Sequence, residues 1–559
     1  MRPARSLAAA VAALPLLGGC SVAKTPKQPT TVHESASIQR ARQVFARIAP
    51  TLARNHKTFE GPTGAISGFG AGDAYPQIWL RDSSWIVDAA AAYYPREALT
   101  SWLDLHLANA EEGGRLRDWV AKGAADNFRE WAPRVQQKDG ISFDTNSNES
   151  DQEPSAALAH CRTERLLGPE TGFDLDARRL RLNKLISALD ALIRDRADPK
   201  TGLIWSGLTA DWGDVSPLYP DQRAIYRDAR TPRTISLYSN VMAYAALDCL
   251  STLAGSKARQ DELTAQSTRL RKRIRSAFWM EDRGFFRIRL ALDAAPPGFS
   301  DDGERFALGG NALAALFGVA DDAQAAAIFK TAERLRVAQN LDTISATLLP
   351  PYASGVFQHP TMREPFQYQN GGEWDWFGAA LVLAEFERGF SESARVHLDQ
   401  IASRILAAGP GLHEWYGQDG SPKGSSAYAA AAAAYYNVMV KGLLGVSRSS
   451  AGYRVVIRTG ETLLPFTLEL RAAGHRLVIS QSVSGNVIEA RVLGHGPIAS
   501  LCSVIPEGRT PADLTAPDLA MPQTIQRLGA DTIICADTSR APQPLAVRFV
   551  LSSPPKPRN

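Results

Sequence analysis

Five cysteines and nine histidines in 559 residues, with no Cys-x-x-Cys pair and no His cluster, leave no ligand spacing for a structural zinc. Charge of one sign is also missing. Lys and Arg total 62 against 58 Asp and Glu, a net charge of +4, and the basic residues are scattered, so nothing points to nucleic acid. Beyond residue 20 no apolar run is long enough to cross a bilayer. No fixed repeat period of the kind a solenoid requires is present. What remains, 45% hydrophobic and 21% charged residues, reads as a globular protein long enough for two or more cores.

The chain opens with "MRPARSLAAAVAALPLLGGC": Arg2 and Arg5, an apolar run of about fifteen residues, then small residues. That pattern predicts a secretory signal over 1–20. Its end, "LLGGC", resembles a bacterial lipobox, which makes Cys20 the expected lipidation site; ordinary signal cleavage is the plainer alternative. Residues 21–36 read as a flexible tether. The expected location is therefore exported and lipid-anchored, on the periplasmic side of a bacterial membrane or at the cell surface. Export permits disulfides. Cys502 and Cys535 are the plausible pair, whereas Cys161 and Cys249 read equally well as buried free thiols.

Texture divides the remainder. From 37 to 447 the sequence is Ala- and Leu-rich with helical periodicity. It predicts helices over 37–54, 83–94, 96–111, 152–167, 177–196, 235–254, 257–278, 309–318, 322–336, 373–388, 391–408 and 425–445. Twelve helices taken as six hairpins predict a mainly α fold, an (α/α)6 barrel with long loops gathered at one end. From 451 to 553, runs such as "YRVVIRTG", "HRLVISQSVSG" and "NVIEARVLG" alternate with period two between Gly and Asn breaks. These predict a small C-terminal antiparallel β-sandwich. The Pro-rich end, "SSPPKPRN", reads as a frayed tail.

Five acidic and aromatic clusters stand near the starts of candidate inner helices. "AYPQIWLRDSSWIV" carries Trp79, Arg81, Asp82 and Trp85. "FDTNSNESDQEP" carries Asp144, Glu149, Asp151 and Gln152. "IWSGLTADWGDVSPLYP" carries Trp205, Asp211, Trp212 and Asp214. "PFQYQNGGEWDWFG" carries Asn370, Glu373, Trp374, Asp375 and Trp376. "GLHEWYGQDGSPKGSSAY" carries His413, Glu414, Trp415 and Tyr416. Any one of them has a structural reading: Ser150 or Asp151 as a helix cap, Gly371 and Gly372 as turn residues, Trp374 and Trp376 as core. All five together describe a carbohydrate site, because aromatic faces stack on sugar C–H surfaces while carboxylates and amides hold hydroxyls.

Glycoside hydrolysis needs two carboxylates flanking the bond, one as proton donor and one as base or nucleophile. A donor needs its proton retained, which an apolar aromatic setting favours. Asp211 and Asp214, either side of Trp212, suit that role, and Glu414 suits the partner. Residues 60–446 resemble the six-hairpin glycosidase superfamily: metal-independent exo-α-mannosidases, glycogen-debranching and glucoamylase-like glucosidases, and α-rhamnosidases. "WLRDS" and "ESDQ" resemble mannosidase substrate loops, and "QNGGEWDW" is similar to the "NGG-x-W" of rhamnosidases. "IWSGLTADWGD" resembles the segment with the general acid, and "LHE" followed by "SSAY" that with the general base. The resemblance implies an inverting, exo-acting hydrolase of a terminal, α-linked sugar with no metal or other cofactor. It implies Glu414 as general base and Asp214 as general acid, the offset from Trp212 favouring Asp214 over Asp211. It also implies Trp79, Arg81, Asp82, Asp151, Trp212, Asn370, Glu373, Trp374, Asp375 and Trp415 around a glycan substrate. Two things depart from the mannosidase pattern: the acid segment reads "ADWGD" instead of adjacent Asp residues, and a C-terminal sandwich follows.

Three competitors remain. A phosphorylase needs a cationic pocket, for which Lys423 is a thin basis. A polysaccharide lyase needs a Tyr/His pair, for which His413 and Tyr416 are available. A non-catalytic surface lipoprotein would bind glycans with the same wall and release nothing.

Overall fold

The computed structural model describes residues 33–168, 174–221, 224–299, 302–449, 451–494, 497–506, 509, 523–539, 541 and 545–552. The signal sequence, Cys20, most of the tether and the Pro-rich tail fall outside them. Thirteen α-helices occur among the described residues: α1 Ala36–Phe45, α2 Ile48–Asn55, α3 Leu80–Tyr93, α4 Glu97–Ala108, α5 Gln152–Leu167, α6 Leu175–Arg196, α7 Leu237–Leu253, α8 Lys257–Phe278, α9 Leu308–Leu316, α10 Asp322–Ala338, α11 Asp375–Glu387, α12 Ser391–Ala407 and α13 Ala429–Asn437.

Packing follows the pattern of side chains. Helix α3 packs on α5, α5 on α7, α7 on α9, α9 on α11, α11 on α13, and α13 back on α3, which closes a circuit. These helices lack a polar face. Every residue of α3 from Leu80 to Ala92 is buried, as is α11 from Asp375 to Phe386 and all of α13. Such all-round burial needs neighbours on every side, and the run of six Ala that opens α13 lets them approach closely. Helices α4, α6, α8, α10 and α12 pack against members of the circuit. In α8 burial is confined to Leu263, Ser267, Leu270, Ile274 and Phe278, a single stripe at helical spacing.

Boundaries differ from the sequence pattern where local chemistry intervenes. The helix expected over 37–54 is broken into α1 and α2. Helix α3 begins at Leu80, three residues early, which places Arg81 and Asp82 in its first turn. Beyond α13 the chain continues as a π-helix over Val438–Leu443. Short β elements within the loops, such as the hairpin His56–Gly61 with Gly64–Phe69, were not legible from periodicity.

Among the described residues the C-terminal region holds two sheets. One orders Ser447–Ser449, Gly452–Ile457, Ile498–Val504, Asp531–Asp537 and Gln523–Leu528; the other orders Leu463–Leu470, His475–Ser484, Val487–Gly494 and Leu545–Val550. The expectation of a wholly antiparallel arrangement is corrected at one place, since Gly452–Ile457 pairs in parallel with Ile498–Val504. A parallel pair needs a long crossover, and three strands of the second sheet supply it. The region also docks on the helices: Asp531 accepts from the N–H and hydroxyl of Ser391 at the start of α12.

Two disulfides join Cys502 to Cys535 within the first sheet and Cys161 on α5 to Cys249 on α7. The second pair corrects the free-thiol alternative. It closes an 88-residue separation between adjacent circuit helices. Replacing both Cys161 and Cys249 by Ala is expected to cost about 4 kcal/mol, most of it through the unfolded chain. Denaturant melts of the variant and the oxidised parent measure the loss.

Candidate active site

The circuit helices α3, α11 and α13 present their N-terminal ends to one cavity of about 630 Å³. Arg81 and Asp82 come from the first turn of α3, Trp374 and Trp376 from the start of α11, and Tyr428 from the residue before α13. Asp214 and Glu414 line the same cavity, although 200 residues separate them in the chain.

Each of these two carboxylates is held by one oxygen. Glu414 Oε2 accepts from the Ser425 backbone N–H at 3.0 Å and from the Tyr75 hydroxyl at 3.1 Å. Asp214 Oδ1 accepts from Gln369 Nε2 at 3.0 Å. Glu414 Oε1 and Asp214 Oδ2 have no hydrogen-bond partner among the described residues. A glycine makes room at each. A Cβ on Gly213 would stand 2.2 Å from the Gln369 amide oxygen, and one on Gly424, whose φ is +66°, would stand 2.4 Å from Glu414 Oε2. Burial pushes the Glu414 carboxyl above its ordinary pKa, against the pull of the Ser425 and Tyr75 hydrogen bonds, and the nearby charge of Asp214 pushes it the same way.

Asp211 has a different place. Its carboxylate accepts from the backbone N–H groups of Gly309 at 2.8 Å and Gly310 at 3.3 Å, in the first turn of α9, and it is not part of the cavity lining. Burial raises its pKa to about 7. Asp211→Ala removes the acceptor for those buried donors and is expected to cost about 1–3 kcal/mol of stability, with kcat within a few-fold of the parent. Thermal melts and steady-state kinetics of the variant test both halves.

The other expected site residues divide in two. Trp79, Arg81, Asp82, Trp212 and Trp374 line the cavity. Trp212 meets Trp374 edge to face at 4.7 Å, and Trp79 packs with Trp119 and Trp131, each at 6.1 Å. Asp151, Asn370, Glu373, Asp375 and Trp415 are outside the lining and are engaged by the protein itself. Glu373 and Asp375 both pair with the buried Arg404, joined by Thr343 and Ser345 respectively. Asn370 braces the backbone of Tyr352. Trp415 packs on Tyr368 at 6.0 Å. The acids at the start of α11 thus pair with Arg404 and are not among the residues that line the cavity.

Arg81 and Asp82 do not satisfy one another, although they adjoin in sequence. Arg81 pairs with Asp151 at 2.6 Å and with Glu149, and Asp151 also accepts from the Tyr238 hydroxyl at 3.0 Å. Asp151 precedes α5 without capping it through its side chain. Asp82 accepts from the Tyr428 hydroxyl at 3.0 Å. Burial, with Asp214 and Glu414 nearby, raises its pKa to about 7 despite Arg81.

Tyr75, Asp118, Phe128 and Trp131 also line the cavity and were not singled out from the sequence. Asp118 lies in "RLRDWV", where an Arg-Asp pair precedes a Trp as it does in the "RDSSW" of α3. Burial drives its carboxyl well above the ordinary range, as it does that of Glu149.

No family model matches the chain, and no curated protein matches it. Solved structures do. A GH63 mannosylglycerate hydrolase from Thermus thermophilus, in complex with glucose, is 18% identical with a TM-score of 0.51; the match covers 70% of this chain and all of that one. A GH78 family rhamnosidase from Bacillus sp. GL1 is 15% identical with a TM-score of 0.54, over 84% of this chain and 42% of that one. An α-L-rhamnosidase from Streptomyces avermitilis complexed with L-rhamnose is 13% identical with a TM-score of 0.52, over 93% and 41%. These neighbours belong to the six-hairpin glycosidase superfamily that the sequence resembles. The chain shares the fold of the helical-barrel glycoside hydrolases of GH63 and GH78.

Proposed function

We propose that this protein is a glycoside hydrolase in which Asp214 protonates the glycosidic oxygen and Glu414 takes a proton from the attacking water. The observation that carries the reading is the pairing of these two carboxylates in one aromatic cavity, each held by one oxygen with the other unpartnered. A cavity of about 630 Å³ with Trp, Tyr and acidic walls suits a sugar and its leaving group. The helical circuit is read as the inner ring of an (α/α)6 barrel and the two C-terminal sheets as a β-sandwich. Inversion is part of the proposal, since Asp214 and Glu414 reach the cavity from different loops; it requires their carboxyl groups to stand about 6.5–9.5 Å apart, with room for the attacking water. Terminal, exo action on an α-linked sugar rests on the resemblance to exo-acting enzymes, as export and a lipid on Cys20 rest on the first twenty residues.

The pH dependence tests the pair. A general base works ionised, and Glu414 holds its proton to higher pH than an ordinary carboxyl. The acidic limb of kcat/KM should therefore lie above about 4.3, the usual Glu value. Asp82 adds a second ionisation near 7, which Asp82→Asn should remove. An acidic limb at or below the usual value would count against Glu414 as base. ¹H NMR of the first product anomer tests stereochemistry, since retention would overturn the two-acid, one-water arrangement.

A further inference from the structure

A second cavity, of about 520 Å³, lies at the other end of the helical circuit. Its walls are the C-terminal halves of α3, α5 and α11, the π-helical segment after α13, and residues of the five-stranded sheet such as Tyr453 and Ile533. Six cationic side chains line it, Arg162, Arg165, Lys441, Arg448, Arg454 and Arg458, against two carboxylates, Asp88 and Glu387.

Asp88 is already engaged. Lys441 pairs with it at 2.8 Å, and Arg162 stands 3.7 Å away. Arg165, Arg454 and Arg458 make no ion pair among the described residues. Arg458, 6% exposed, donates to the backbone carbonyls of Lys441 and Gly442, and its Nε has no partner. Among the described residues, Arg165 and Arg454 donate only to the sulfurs of Cys249 and Cys535, at 3.7 and 3.9 Å. Helix C-termini carry partial negative charge, but that does not balance a surplus of full cations of which Arg458 is buried and Arg162, Lys441 and Arg454 partly so, with Arg165 exposed at the rim. Burial lowers the pKa of Arg162, Arg454, Arg458 and Lys441, the direction expected of cations short of counter-charge. Lys441 is delivered by the π-helix Val438–Leu443, a rare conformation that concentrates at functional sites.

We propose that this cavity binds a multivalent phosphate-class anion, either free phosphate or the phosphate of a small organic ester. Guanidinium forks match phosphate oxygens. The bound anion ties α5 and the π-helix to the C-terminal sheet, so occupancy stabilises the whole body.

The test is thermal denaturation of the full chain in sodium phosphate and in sodium chloride at equal ionic strength, beside an Arg165→Gln/Arg454→Gln variant. Phosphate is expected to raise the Tm by roughly 1–3 °C over chloride. The variant should lose that increment while melting in chloride at the parental temperature or higher, because removing cations relieves their repulsion. A hexose 6-phosphate giving a larger increment than inorganic phosphate identifies the ester as ligand; an equal increment identifies the free anion. Isothermal titration with inorganic phosphate reads the same site without unfolding. No increment in the parent, or an increment kept in full by the variant, overturns the proposal. A variant that melts lower in chloride, with the parent indifferent to phosphate, would overturn the proposal and leave these arginines with a structural role alone.

Discussion

Glu414→Gln is expected to lower kcat by about 10²–10⁴-fold while the protein melts within a few degrees of the parent. Gln keeps the volume, and its amide oxygen can still accept from the Ser425 N–H and the Tyr75 hydroxyl that hold Oε2. It cannot take a proton from water. The loss should be similar for activated and unactivated leaving groups, because the base acts on the nucleophile. Asp214→Asn gives a different pattern. Loss of the acid falls most heavily on substrates whose leaving oxygen must be protonated, so an aryl glycoside with a good leaving group should retain more activity than a disaccharide. Steady-state kinetics of both variants on both substrate types separate the roles. A Glu414→Gln enzyme within a few-fold of the parent would remove Glu414 from the chemistry.

Arg404→Leu is expected to cost about 3–5 kcal/mol of stability. Arg404 lies between Glu373 and Asp375 with all three side chains almost wholly buried. Removing the cation strands two carboxylates in an apolar setting, where desolvation already raises both pKa values against the pull of Arg404. Adding Glu373→Gln and Asp375→Asn to Arg404→Leu should recover part of the loss, since neutral side chains no longer need the guanidinium. Molecules that remain folded should hydrolyse substrate near the parental rate. Denaturant melts and kcat per folded molecule check both points. A raised KM at parental stability would instead place Glu373 or Asp375 on the substrate.

The outer helices were legible because burial on one face leaves a 3.6-residue pattern, as the stripe Leu263, Leu270, Ile274 and Phe278 in α8 illustrates, and the circuit helices because they are long Ala- and Leu-rich runs. The C-terminal strands announced themselves by period two. The parallel pairing of Gly452–Ile457 with Ile498–Val504 was hidden, because alternation does not encode which strands become neighbours. At the site, the type of residue was readable and its partner was not. "GEWDW" and "RDSSW" look alike in sequence. Only the arrival of Arg404 from α12 diverts Glu373 and Asp375 into an ion-pair network, while Asp82 at the start of α3 meets the cavity. Asp211 and Asp214 differ for the same reason: the N-terminal turn of α9, almost a hundred residues away, claims the first. Asp118 was overlooked because one acid beside one Trp lies below any pattern threshold.

The most direct measurement is release of free sugar from a panel of α- and β-linked oligosaccharides, run in parallel with wild type, Asp214→Asn, Glu414→Gln and Asp211→Ala. Release by wild type and Asp211→Ala, lost from both Asp214→Asn and Glu414→Gln at unchanged folding, is the expected result and names the sugar. Release that persists in Asp214→Asn and Glu414→Gln, or sugar binding by wild type with no release from any substrate, would contradict the assignment of these two carboxylates as a hydrolytic pair.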